Sequence, residues 1–217
     1  MNKQSSVLNG PVVKRLGEIL HDSDGLLSLI KLNFLFILTL MPVIPFVSLF
    51  TCGSSVTAIL DCTNHLVKTG YVPELKKRYL SVFRSNIKKQ AFPGFILLSL
   101  TGILSFDVYY YLINSTSNVL YIPVSSISLL GLITLWSLAI HFFTNGDKYD
   151  ETILQKVKRA AITALSEMRN TLIAILFSII FLLSIILLLP SSLPVLITIG
   201  FSVPALASAF AHTKPEW

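Results

Sequence analysis

A chain of 217 residues with 53% hydrophobic and only 13% charged side chains, a mean hydropathy of +0.73 and a net charge of +6 is not composed like a soluble domain, which carries about 25% charged residues. The excess positive charge is then better matched to anionic lipid than to nucleic acid, and the length allows one bundle of about five or six crossings of about 20 residues each, with no separate soluble domain.

Residues 1–25 read as an interfacial segment. Pro11 suits a first helical turn, and Val12, Val13, Leu16, Ile19 and Leu20 form an apolar stripe opposite Lys14, Arg15 and Glu18. No small-residue cleavage site follows a short apolar core here, so the first long apolar stretch is expected to stay as a signal anchor. That stretch, Leu26 to Met41, is the first predicted span, with Lys31 able to snorkel and Pro42 and Pro45 ending it.

The second segment, Phe46 to Val67, is long enough to cross but carries Ser54, Thr57, Asp61, Asn64, His65 and Lys68. Steps of three and four place 54, 57, 61, 64 and 68 on one face, a candidate intramembrane polar stripe. Asp61 and His65, one turn apart, have the chemistry to relay a proton or bind a cation or sugar hydroxyl; a salt bridge from Asp61 to a basic residue is the structural alternative.

Residues 71–90 form a predicted basic amphipathic helix. Leu75, Tyr79, Phe83 and Ile87 recur every four residues, while Lys76, Lys77, Arg84, Lys88 and Lys89 face elsewhere, as candidate lipid- or partner-docking cations. A third span, Ala91 to Ile113, ends in the aromatic belt Phe106, Tyr109, Tyr110 and Tyr111 and contains Asp107, a candidate acid on the outer face. A fourth covers Val119 to Phe143. Residues 147–169 repeat the basic amphipathic pattern, with Ile153, Leu154, Val157, Ala161, Leu165 and Met168 as its apolar stripe. Asn170 to Leu189 and Leu193 to Ala211 contain no ionised side chain and are predicted to make a hairpin at Pro190–Pro194, with Pro204 kinking or unwinding the last span.

Six crossings leave three external connections, Pro42–Thr51, Asn114–Asn118 and Pro190–Pro194, without a single Lys or Arg. The positive-inside rule therefore favours six over five, with both termini cytoplasmic. The expected class is an all-α polytopic transmembrane bundle forming a single integral membrane domain, 1–217. Cys52 and Cys62 lie ten residues apart, too far along one helix for a disulfide, and read as small packing residues. No nucleotide, metal or nucleophile signature occurs, so neither enzymatic activity nor a cofactor is expected.

The stretch from Tyr79 to Ala91 (YLSVFRSNIKKQA) resembles the hallmark segment of the YesL-like bacterial membrane proteins, a domain-of-unknown-function family. Leu32-Asn33-Phe34 with the Pro42 break, the stretch Thr51 to Ala58 (TCGSSVTA), and Gly200 to Ala205 (GFSVPA) follow the same family order. Family members usually show a Trp shortly after the asparagine, where this chain has Phe34 and Phe36. The resemblance implies a bacterial cytoplasmic-membrane protein associated with carbohydrate uptake or utilisation. Together with the absence of catalytic motifs and the basic helices, it points to an accessory component that binds a sugar ABC transporter or other membrane complex, and it carries over no catalytic residue. A small-solute or ion transporter using the polar stripe is the alternative.

Overall fold

A computed structural model describes residues 23–40, 45–116, 118–144 and 152–212. The predicted helix from Pro11, the Pro42 turn, the start of the 147–169 segment and the chain's last five residues lie outside the described residues. Among the described residues the protein is all-helical: α1 (Ser23–Leu40), α2 (Pro45–Thr69), α3 (Leu75–Ile113), a 3-10 turn (Asn114–Thr116), α4 (Tyr121–Thr144), α5 (Ile153–Ser166), α6 (Met168–Leu187), α7 (Leu193–Ile199) and α8 (Ser202–His212).

The basic helix and the third predicted span are one element. α3 runs 39 residues without a break, with Pro93 inside it. At about 1.5 Å per residue it is about 58 Å long, roughly twice the hydrocarbon thickness of a bilayer. Its two halves have different neighbours. Beside the first half lies the α1–α2 hairpin: Arg78 meets Asp61, Tyr79 meets Thr39, and Phe50 stacks on Phe95 with ring centroids 5.7 Å apart. Beside the second half lies α4, with Tyr111 and Tyr121 rings 5.4 Å apart.

Where α2 crosses α3, backbone touches backbone. A methyl group on Gly53 would sit 2.3 Å from Gln90 O and 3.1 Å from Gly94 Cα, so only glycine allows this approach. Gly94 is thus a contact residue within a continuous helix, and the boundary expected between residues 90 and 91 does not form.

Among the described residues, three helical stretches are long and apolar enough to cross a membrane: Leu75–Thr116, Tyr121–Thr144 and Met168–Ile185. The pair α7 and α8, bent by 51°, makes a fourth if counted as one broken span. Their outer faces carry many exposed large apolar side chains, among them Ile103, Phe106, Ile127, Leu130, Leu176 and Ile180. An apolar surface of that extent matches lipid. The packed core sits elsewhere, where Leu29, Leu32, Leu66, Val67 and Tyr79 of the hairpin region meet Phe143, Leu206 and Ala209. This is a multi-pass membrane protein by composition and helix length, with its tightest packing at one end of the bundle.

The predicted amphipathic helix around Lys156 is α5. Thr152 and Gln155 form a reciprocal capping box at its start. Its apolar stripe is open, with Leu154 80% and Leu165 74% exposed, as suits a helix lying at an interface.

Candidate functional site

Three polar constructions hold the α1–α2 hairpin, and the most extensive centres on Asn33. This side chain is completely buried. Its Nδ2 donates to Leu196 O at 3.0 Å and Ile197 O at 2.7 Å, and its Oδ1 accepts from Phe201 N at 2.7 Å and Ser202 N at 3.1 Å. A break between two helices leaves carbonyls at one end and amides at the other without helical partners. One carboxamide has two donors and an acceptor oxygen, so it serves both ends at once. Asn33 therefore fixes the bend between α7 and α8, and Pro204 sits in the first turn of α8, where no helical amide is required.

The second construction is a hydroxyl network. The Tyr79 and Thr39 hydroxyls are 2.8 Å apart, Ser55 donates to Thr39 Oγ1 at 3.0 Å, and Thr51 donates to Thr39 O at 3.1 Å. It joins α1, α2 and α3 at one point. The third is the ion pair from Arg78 Nε to Asp61 Oδ2 at 2.9 Å, with both side chains about a third exposed at 35% and 38%.

The predicted polar stripe does not form one surface. Ser54 and Thr57 are buried, Asp61, Asn64 and His65 are partly buried, and Lys68 is exposed. Ser54 sits beside the glycine crossing, and its hydroxyl has no hydrogen-bond partner among the described residues. The Thr57 hydroxyl returns to Gly53 O at 2.9 Å. Asp61 has the salt bridge that the structural alternative anticipated, while Lys68 lies at the opposite end of the face from Ser54. Cys52 and Cys62 are free and buried, consistent with packing. Asp107 is partly buried on the second half of α3, far along that helix from Asp61's partner Arg78. Among the described residues, no group of three or more His, Cys, Asp and Glu side chains could hold a metal ion.

The predicted cations do come together in part. Lys76, Lys77 and Arg84 line an open groove of about 1540 Å³ between α1, the start of α3 and α7, and Lys31 of α1 faces them across it. Lys77 pairs with Glu74 at 2.9 Å. Lys88 and Lys89 are exposed beyond the groove, on the next turn of α3. The sequence reading missed the roles of Asn33 and Lys31 here. A lone carboxamide in an apolar helix signals a buried bond, but it does not name the partner. A further buried contact also escaped it: His141 of α4 lies 2.9 Å from the Thr171 hydroxyl of α6.

No protein-family model matches the chain, and no curated protein or solved structure matches it either.

Proposed function

We propose that this protein is a membrane-anchored accessory component that docks another membrane complex through the cationic half of α3. The observation carrying this reading is that Lys88 and Lys89 project from a helix held by the glycine crossing, the Tyr79–Thr39 contact and the Asp61–Arg78 pair. Cations on a fixed frame can meet an acidic partner surface without first being ordered. A bacterial origin and an association with carbohydrate uptake rest on the segment resemblance alone. The transporter alternative is less well supported, because the stripe residues are divided among a helix crossing, an ion pair and an exposed end.

The same geometry supports four crossings in place of the six favoured by the sequence. The α1–α2 hairpin is level with residues 75–95, a stretch bearing five exposed cations, Lys76, Lys77, Arg84, Lys88 and Lys89, which hydrocarbon cannot solvate. With α3 beyond Gly94, α4, α6 and the bent pair as the crossings, both external connections still lack Lys and Arg and both termini are cytoplasmic. A single cysteine at Phe50, in a chain whose own cysteines are replaced by serine, should react with an impermeant reagent only from the inside. Labelling from outside supports six.

The docking test is purification of the tagged chain from its native membrane in mild detergent. A stoichiometric partner is expected, and Lys88→Glu with Lys89→Glu should release it. Co-purification unchanged by the reversal would refute this docking surface.

A further inference from the structure

We infer that the groove between α1, the start of α3 and α7 holds one anionic phospholipid. The volume of about 1540 Å³ exceeds the roughly 300–1,000 Å³ typical of small-molecule pockets, and the groove is partly open. Its walls have two characters. Leu27, Phe34 and Leu38 of α1 line it with Leu80 of α3, and Phe34 and Leu38 are 60% and 62% exposed. Among the cations on it, Lys31, Lys76 and Arg84 make no ion pair with any described residue.

Two acids also line the groove. Glu74 is engaged by Lys77, and Asp24 lies in the first turn of α1. Four cations against two acids leave an excess of two positive charges on the lining. A phosphate diester with acyl chains satisfies both characters at once, the phosphate at the cations and the chains along the α1 wall. A basic pocket between helices on the cytoplasmic side is a recurrent setting for such headgroups. This site uses residues other than Lys88 and Lys89, so it can fail or stand independently of the docking reading.

The test is native mass spectrometry of the full chain in neutral detergent, titrated with phosphatidylglycerol or phosphatidylcholine. One phosphatidylglycerol retained per chain is expected, in preference to phosphatidylcholine. Each cation near a headgroup is worth about a fivefold change in affinity, so Lys31→Gln with Lys76→Gln should weaken retention about thirtyfold. The equal charge loss in Lys88→Gln with Lys89→Gln should leave it unchanged. Phe34→Asn should weaken it without abolishing the preference for the anionic lipid.

Equal retention of the two lipids by the wild-type chain would overturn the proposal, a result that needs no variant to fold. Equal weakening by both charge variants would overturn it too, since only general electrostatics would remain. Displacement by glycerol phosphate at the lipid's own affinity would reduce the groove to an anion site. Exclusion of lipid by the chain's residues 1–22, with binding appearing only once they are deleted, would assign the groove to that segment instead.

Discussion

Asn33→Ala is the sharpest probe of the bundle. It removes a buried carboxamide from four backbone groups. One of these, Leu196 O, still accepts from Gly200 N at 3.1 Å and is not orphaned. Ile197 O, Phe201 N and Ser202 N lose the Asn33 partner described above. A buried polar group left unsatisfied costs about 1–3 kcal/mol, and some rearrangement is available at a helix break, so the low end applies: about 3 kcal/mol for the three groups. For a chain of this length, each kcal/mol moves the melting temperature by roughly 2–4 °C, which gives a drop of about 6–12 °C. Thermal unfolding of the detergent-solubilised protein reads it directly. Ser126→Ala is the control, since that exposed hydroxyl donates within its own helix, to Ile122 O at 2.9 Å, and its loss should shift stability by no more than about 0.5 kcal/mol. If Asn33→Ala melts within about 2 °C of the wild type, the four bonds do not hold the α7–α8 bend and the reasoning fails.

Two further perturbations separate packing from charge. Gly53→Ala places a methyl 2.3 Å from Gln90 O and should force α2 from α3, lowering stability by at least about 1–3 kcal/mol. Gly102→Ala on the same α3 meets nothing within 4 Å and should be neutral or stabilising by up to about 1 kcal/mol; thermal melts giving the opposite order would refute the crossing. Asp61→Asn breaks a partly exposed pair, so it should cost no more than about 1 kcal/mol, less in high salt. In proteoliposomes it should leave solute and proton flux unaltered, and wild-type flux that this variant abolishes would restore the transporter reading.

Much of the architecture was legible in the residues. The hydropathy runs gave the α4 and α6 columns, the Pro190–Pro194 hairpin and an interruption in the last apolar stretch, because each depends on local composition. The amphipathic period around residues 153–168 gave α5 for the same reason. At Ala91 the expected start of a separate span is no boundary. The helix continues from Leu75 through Pro93 to Ile113 and uses Gly94 for a backbone contact that has no local signature.

The candidate site was legible residue by residue but not as an arrangement. Helical spacing set Ser54, Thr57, Asp61, Asn64 and Lys68 at positions of one face, but a face says nothing of what lies opposite. Asp61 met Arg78, 17 positions away, and the upper part of the stripe met a helix crossing. The cations divided in a similar way, with Lys31 joining Lys76 and Arg84 around a groove while Lys88 and Lys89 remained outside it.

By itself the sequence determined the solvent: long uncharged runs commit these helices to lipid, because hydrocarbon excludes charge whatever the packing. Only the tertiary structure decided how these helices are arranged against one another. The α1–α2 hairpin is apolar enough to suggest crossing, but its place beside the cation-bearing half of α3 is set by the Gly53–Gly94 contact. Asn33, isolated in its own helix, acquires its role from backbone groups 163 to 169 residues away. Such long-range pairings depend on side-chain complementarity between helices, which periodicity within one helix does not encode.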